Sequence, residues 1–412
     1  MKKNKIFAGK TLAILTGGGD TPALNSSIEA IRNRAAVLGY KVYGIKSGWK
    51  GLTGNGDIVD LTNQPYNGVY GGTALRSSRT NPFPTKKNNV NRVPQILENL
   101  KRYKIDVLVT IGGDDTNGAA KRLYEEERIP VIGFPKTIDN DLRTRTIHHY
   151  GKQEIEAVLC PGFPTSALSV AEYSSRICTT AESHSRIVVL ETMGRDAGWL
   201  TGAAMYGGAE ISLIPEYEIT KERKEQFFDR INELYHKSEK KFLIIAASEG
   251  TRWYNDKSGK TELVYASSEV DEYGHPRFGG IAGVLASEIE RKTGILTRGQ
   301  SIGYYARSGD CMQYDRRLSS ILADKVTDLL LREDYGKMPV LTKIANYQEL
   351  EEYNTDCIDM GSIGNKPLPT EYYDTKTLHF NETYRDFLSY MIWNPKKVQF
   401  EHSFPKVNPD NL

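Results

Sequence analysis

Phe134-Pro135-Lys136-Thr137-Ile138-Asp139-Asn140-Asp141, read beside Ile111-Gly112-Gly113-Asp114-Asp115-Thr116, decides the architecture of this chain. Each segment closes an apolar run, Val107-Leu108-Val109-Thr110-Ile111 in one case and Pro130-Val131-Ile132-Gly133 in the other. Short runs of this kind, bounded by glycine and proline, predict buried parallel strands. The polar residues that follow then stand at neighbouring carboxyl ends, the edge at which open α/β sheets hold ligands. The glycine pair lets the backbone turn and approach an anion. Carboxylates at Asp114, Asp115, Asp139 and Asp141, with Lys136 and Thr137, suit phosphate chemistry, which needs a cation site, phosphate donors and a base. Either turn alone reads equally well as a capped polar loop, and the pairing of the two favours the chemical reading.

Further out, Thr11-Leu12-Ala13-Ile14-Leu15-Thr16 predicts another buried strand, which Gly17-Gly18-Gly19-Asp20-Thr21 turns into a helix. Ile28, Ile31, Ala35 and Leu38 give that helix an apolar stripe, and Val42-Tyr43-Gly44-Ile45 is the next strand. This βαβ opening can present N–H groups to a phosphate. It matches neither the GxGxxG dinucleotide fingerprint nor the P-loop, which disfavours both of those enzyme classes. Later strands are predicted at 187–190, 211–214 and 242–247. Among the intervening helices, one carries Ile281, Leu285 and Ile289 opposite Glu288, Arg291 and Lys292. The pattern predicts an α/β protein of two doubly wound, Rossmann-like lobes facing a cleft.

Composition sets the limits. A chain of 412 residues is long enough for two cores. Its 54 basic and 52 acidic residues leave no polyelectrolyte signature, so no nucleic-acid partner is expected. No apolar run reaches membrane-spanning length and Met1-Lys2-Lys3-Asn4-Lys5 leads into no signal-peptide core, so the expectation is a cytoplasmic protein without a membrane partner. Cys160, Cys178, Cys311 and Cys357 form neither a CxxC pair nor a Cys/His cluster. His148 and His149 read as a solvated loop rather than a metal site.

In order and spacing these segments resemble the phosphofructokinase family over roughly residues 11 to 320. Gly71-Gly72-Thr73 leading to Arg79 is similar to the family's phosphate-clamping segment, and Ser183-His184-Ser185-Arg186 to its acceptor-phosphate arginine. Met193-Gly194-Arg195 is similar to the motif that contacts the sugar and the transition state; Glu249-Gly250 and the span from Arg298 to Arg307 complete the pattern. The resemblance implies the phosphofructokinase fold. Residues 1–150 with about 305–360 would form a diphosphate-donor lobe, and 151–304 with the tail 361–412 a sugar-phosphate lobe. The tail from about residue 335 lies beyond the shared motifs and has no assigned chemistry.

Two positions separate donors within the family. ATP-dependent members typically carry glycine after the magnesium aspartate and before the TIDND core, whereas pyrophosphate-dependent members carry aspartate and lysine. This chain has Asp115 and Lys136 there, and Tyr304 where ATP enzymes commonly have histidine. Charge and bulk point the same way, since Asp115 would obstruct a nucleotide's α-phosphate and ribose while Lys136 can pair with a compact diphosphate. Two unit charges about 4 Å apart interact by roughly 4 kcal/mol near a protein surface, before desolvation, enough for either residue to decide the donor.

The resemblance implies a role for each residue. Asp139 would accept the proton of the sugar's 1-hydroxyl, Asp141 would orient that hydroxyl, and Thr137 would hydrogen-bond the transferred phosphoryl group. Asp114 would hold Mg²⁺, the one expected cofactor, directly or through water. Gly19, Arg79, Asp115 and Lys136 would form the donor site, and Arg195 would neutralise charge on the moving phosphoryl. Arg186, Arg298 and Arg307 with Tyr304 would grip the acceptor's 6-phosphate, with Glu249, Met193 and Gly194 against the sugar. In the family the equivalents of Arg186 and Arg298 come from a neighbouring subunit, which implies a homodimer or homotetramer.

The expected reaction is reversible, pyrophosphate-dependent phosphorylation of fructose 6-phosphate to fructose 1,6-bisphosphate, a step of glycolysis and gluconeogenesis. Alternatives are the same donor with another sugar phosphate such as sedoheptulose 7-phosphate, an ATP-dependent 6-phosphofructokinase, and a silent regulatory subunit. Intact Asp114, Asp139, Asp141 and Arg195 argue against the last. The chain departs from the family in the connection from Arg143-Thr144-Arg145 through Cys160-Pro161, longer than usual, in Pro164 where aspartate is frequent, and in Ala23 where glycine is. Glu29 and Asn33 replace the effector-binding arginines of allosteric bacterial relatives, which implies no ADP or phosphoenolpyruvate response there.

Overall fold

The computed structural model describes residues 6–393 apart from 87, 145–147, 151–152, 156, 238–239, 271–272, 274–275, 347 and 352–353. The chain opens with β1 (Thr11–Thr16), α1 (Leu24–Leu38), β2 (Lys41–Ile45), β3 (Ile58–Asp60), α2 (Val93–Arg102), β4 (Val107–Gly112), α3 (Asp114–Glu127) and β5 (Val131–Pro135). Strand β6 (Leu142–Thr144) and an antiparallel hairpin, β7 (His148–Tyr150) with β8 (Gln153–Ile155), lead to α4 (Phe163–Ser183). Then come β9 (Ile187–Thr192), α5 (Trp199–Gly202), β10 (Ile211–Leu213), α6 (Lys221–Lys237) and β11 (Leu243–Ser248). Two hairpins follow, β12 (Arg252–Asn255) with β13 (Lys260–Leu263) and β14 (Tyr265–Val270) with β15 (Pro276–Phe278), before α7 (Ile281–Thr293) and β16 (Thr297–Ser301). The last part holds α8 (Gln313–Arg332), β17 (Lys337–Leu341), β18 (Thr355–Asp359), β19 (Ile363–Asn365), β20 (Tyr373–Asp374), β21 (His379–Phe380) and α9 (Glu382–Ser389).

Two main sheets result. The first, in the order β18-β17-β5-β4-β1-β2-β3, is parallel from β17 through β2, with an antiparallel strand at each edge. The second, β10-β11-β9-β16, is parallel throughout. Helices cover both faces, so β1, β4, β5, β9 and β11 are buried along their whole lengths and read as unbroken apolar runs. This is the doubly wound α/β architecture read from the sequence. Because β1 is followed by β2 on one side and flanked by β4 on the other, the strand order reverses beside β1, and a crevice opens there at the carboxyl ends.

Helix α1 buries Leu24, Ile28, Ile31 and Ala35, each large aliphatic side chain contributing roughly 1.5–3 kcal/mol, and stops at Gly39, whose left-handed backbone (φ 103°) closes the last turn. The chain returns to this lobe after β16, for α8 lies along α1. Arg34 pairs with Asp324 (2.5 Å) and donates to the Ser320 hydroxyl (2.8 Å), and Ser26 and Ser27 meet Ser319. On α7 the stripe of Ile281, Leu285 and Ile289 is buried as expected, but Glu288 is not on a solvated face. It accepts from Trp253 Nε1 (2.9 Å) and pairs with buried Lys224 (2.6 Å), because α6 and the β12–β13 hairpin cover that side.

The adjacent histidines stand on β7, in a hairpin rather than a loop, because β7 pairs with β8; Arg145 lies outside the described residues. The tail crosses the molecule. β18 completes the first sheet, β19 pairs with β6, and the β20–β21 hairpin reaches β10, where Tyr373 donates to the Ser212 carbonyl (2.7 Å). Helix α9 packs Phe387 and Tyr384 on fully buried Trp199, with ring centroids 4.9 and 6.1 Å away. Among the described residues no helix is long and apolar enough to cross a membrane.

Candidate active site

The carboxyl ends of β1, β4 and β5 face the end of β9 across one open cavity. The turn after β1 packs directly on the first turn of α3. A side chain at Gly17 would stand 2.4 Å from Thr116 Oγ1, so the close approach requires glycine. Gly18 and Gly19 then line the cavity, and the backbone of Gly18 holds the loop at Ser77 and Ser78, whose neighbour Arg79 enters the same cavity.

Strand β4 runs through extended Gly113 into α3, which places Asp114 and Asp115 in the helix's first turn, where the helix dipole favours negative charge. Buried Asn117, one turn further on, locks the two strand ends together. Its amide donates to the carbonyls of Gly112 (2.7 Å) and Phe134 (3.4 Å), and its oxygen accepts from Thr110 (2.8 Å).

After β5 comes Lys136, 4% exposed, whose Nζ donates to the Gly19 carbonyl across the cavity. Burial, helped by the Arg307 guanidinium, brings its pKa down to about 8, against the pull of Asp139, Asp20 and Asp141. The Thr137 hydroxyl accepts from the Asp139 N–H (3.0 Å) and donates to Asp141 Oδ1 (3.0 Å). Asn140 takes a left-handed conformation (φ 49°), one that asparagine tolerates, and both flanking aspartates line the cavity. Asp139 Oδ1 is buried with no hydrogen-bond partner, and burial holds its carboxyl above the usual range. Burial and the charge of Asp139 push Asp141 up to about 7. A buried, unsatisfied carboxylate oxygen is costly and marks a functional position.

The second lobe contributes the end of β9. Gly194 (φ 143°) leaves no room for a side chain, which would meet the Ala197 carbonyl at 2.6 Å, and Arg195 beyond it is also left-handed (φ 46°). Arg195 and Asp196 face the aspartates across the cavity. Glu249, after β11, is pushed up to about 7 by burial and by Asp139. Arg307 ties the lobes, donating from Nη1 to the Asp20 carbonyl (3.0 Å) and from Nε to Met193 Sδ (3.1 Å).

Of the residues singled out in the sequence, Gly19, Arg79, Asp114, Asp115, Lys136, Thr137, Asp139, Asp141, Arg195 and Arg307 line this cavity. Met193, Gly194 and Glu249 stand beside it. Arg186, Arg298 and Tyr304 do not line it. Tyr304 is 70% exposed, Arg298 is half exposed beside Glu290 (3.3 Å), and Arg186 carries a buried Nε with no hydrogen-bond partner. Arg307 is thus the one member of the expected acceptor-phosphate group inside the cavity. Gly18 and Thr116, inside the quoted turns but given no role there, also line it, and sequence reasoning missed Asp196, Tyr273 and Asn365. Asp196 directly follows a motif already read. Tyr273, whose hydroxyl donates to the Thr80 carbonyl (3.1 Å), and Asn365 sit in a hairpin and a tail that carried no signal.

Two doubly wound lobes that bring a lysine, arginines and carboxylates to one switch-point crevice define an α/β phosphate-transferring enzyme. The family model described as phosphofructokinase matches residues 11–330, and the chain belongs to the phosphofructokinase family. Over 322 residues it is 37% identical to a pyrophosphate--fructose 6-phosphate 1-phosphotransferase of Dictyoglomus thermophilum, covering 77% of this chain and 86% of that one. Over 365 residues it is also 37% identical to an ATP-dependent 6-phosphofructokinase 2 of Clostridium perfringens, covering 83% and 91%. The equal identities establish the family and leave the donor to the site. In fold the chain is similar to a pyrophosphate-dependent phosphofructokinase structure from Marinobacter aquaeolei, with a TM-score of 0.72 and 19% identity over 97% of this chain and 94% of that one.

Proposed function

We propose that this enzyme transfers a phosphoryl group reversibly from pyrophosphate to the 1-hydroxyl of fructose 6-phosphate, as a cytoplasmic assembly of two or four copies. The observation that carries the donor reading is buried Lys136, anchored to the Gly19 carbonyl and sharing the cavity with the Asp115 carboxylate. A compact diphosphate gains the lysine's charge, whereas a nucleoside extending past Asp115 meets bulk and negative charge. The first lobe, residues 1–150 with about 305–360, would hold the donor, and the second would hold the sugar phosphate.

The unpartnered, raised carboxylate of Asp139 is suited to take the 1-hydroxyl proton, since a base whose pKa lies nearer the working pH is stronger. Asp141, fixed by Thr137, would orient that hydroxyl, and Thr137 would also reach the transferred group. Arg79, Lys136 and Arg195 would meet the phosphate charge from both lobes. Asp114 fits Mg²⁺, which takes one or two carboxylates and completes its shell from phosphate oxygens and water; among the described residues no group of three or more protein ligands competes with that arrangement. When bound, the ion would draw charge off the phosphates. Arg186, Arg298 and Tyr304, away from the cavity of their own chain, would serve a neighbour's acceptor phosphate, with Arg307, Glu249, Met193 and Gly194 completing the sugar site.

Initial rates of the purified chain with pyrophosphate and ATP, each against fructose 6-phosphate and sedoheptulose 7-phosphate, test the reading. Preference for ATP overturns the donor, preference for sedoheptulose 7-phosphate overturns the acceptor, and no turnover with any pair favours a silent subunit.

A further inference from the structure

The family model ends at residue 330, yet the tail beyond it reaches the reaction cavity. We propose that Asn365 contacts the phosphorylated substrates, and that the stretch Asn365–Leu368 holds the two catalytic turns in register. Asn365 ends β19, opposite Leu142 and therefore beside Asp141, and its exposed side chain shares the cavity wall with Asp139, Asp141, Arg195 and Asp196. The next residue, Lys366, donates its backbone N–H to the Asp141 carbonyl (2.8 Å). Two residues on, the N–H of Leu368 donates to Glu216 Oε1 (2.7 Å). The Glu216 carboxylate also accepts the N–H of Gly198, at 2.9 and 3.1 Å from its two oxygens, three residues after Arg195.

One short stretch therefore grips the turn that carries Asp139 and Asp141 in one lobe and the turn that carries Arg195 in the other. Phosphoryl transfer between groups on separate lobes depends on that spacing, because a displacement of about 1 Å can cost roughly 10²-fold in rate. An uncharged amide among carboxylates supplies two donors and an acceptor to phosphate or sugar oxygens without adding negative charge. The inference rests on the proposed function only in taking the substrates to be polyanions, whichever donor is used.

Full-length Asn365→Ala and Asn365→Asp test the contact. We expect Asn365→Ala to lower kcat/KM about 10-fold with the better donor while Tm stays within about 2 °C, since surface substitutions move stability little. Asn365→Asp should lose roughly a further 10-fold, because a new carboxylate repels the polyanion. Titration calorimetry with pyrophosphate and with fructose 6-phosphate gives the same comparison independently of turnover. Variants within twofold of wild type in both measurements, or equal losses in the two variants accompanied by a fall in Tm, overturn the contact. Glu216→Ala, which leaves both the Leu368 and the Gly198 N–H without their acceptor, should lower kcat with KM nearly unchanged, whereas Glu216→Gln, whose amide oxygen can take the Oε1 place, should keep most of the rate; a rise in KM alone overturns the positioning. Preference of the wild type for ATP would sink the donor reading and leave the ratio of variant to wild type intact.

Discussion

Replacing Asp141 with asparagine should stabilise this protein while removing its activity. Burial, reinforced by the charge of Asp139, pushes the Asp141 carboxyl up to about 7, against roughly 3.9 in an unfolded chain. A folded value above the unfolded one means that the fold favours the protonated acid. That contribution is fully present below about pH 4 and is lost as pH rises through about 7. That difference corresponds to about 4 kcal/mol. Asp141 is only half-buried and opens on the cavity, so water screens its charge, and we take roughly half, about 2 kcal/mol. Asparagine keeps an oxygen to accept the Thr137 hydroxyl and sheds the charge. Scanning calorimetry should therefore show the variant melting roughly 2–4 °C above wild type at pH 8, with a smaller gap at pH 5. Turnover should fall about 10²-fold or more, because the acceptor hydroxyl is no longer oriented. A variant that melts below wild type at pH 8, or gains equally at both pH values, would refute burial as the origin of the shift.

Three further outcomes follow from the same geometry. Asp139→Ser should reduce kcat by about 10²–10⁴-fold with little change in KM for the sugar phosphate, measured by coupled assay, because a general base acts in the transition state. Asp115→Gly combined with Lys136→Gly should lose most pyrophosphate-dependent rate and gain weak ATP-dependent rate, non-additively because both groups face one donor; unchanged pyrophosphate kinetics in Lys136→Gly alone would end that assignment. Sedimentation should give a dimer or tetramer, and mixing inactive Asp139→Ser and Arg186→Ala chains should restore part of the activity if one chain's Arg186 serves its neighbour's site; a fully active monomer excludes this.

The parts of the site that were legible in the sequence are those the chain makes locally. A parallel strand buried on both faces must be apolar throughout, so β1, β4 and β5 announce themselves, and the residues after each must lie at the carboxyl edge. Lys136, Asp139 and Asp114 could be named for that reason. Asn365 could not, because it reaches the cavity only through the pairing of β19 with β6, more than two hundred residues earlier in the chain, and nothing local marks that pairing. Glu288 was misplaced for a different reason: seven residues after Ile281 and three after Leu285, it lies on the apolar stripe's own side of α7, where Trp253 of the β12–β13 hairpin meets it. Asn117 looks like any polar helix residue until the carbonyls of Gly112 and Phe134 converge on it.

The electrostatics of the cavity explain why so many of these groups are held away from their ordinary states. One low-dielectric site lowers Lys136 to about 8 and raises Asp141 and Glu249 to about 7, so near neutral pH protons are divided among groups of opposite sign. Arg307 depresses Lys136 while favouring ionised Asp139 and Glu249, so a single guanidinium biases both ends of the site. A polyanionic donor placed against Lys136 and the arginines would raise the lysine's pKa and fix its charge. The same charge would make loss of a proton from Asp139 less favourable, leaving the carboxyl a stronger base at the moment an acceptor hydroxyl is present. The cost of burying these charges and the reactivity proposed for them thus have a common origin.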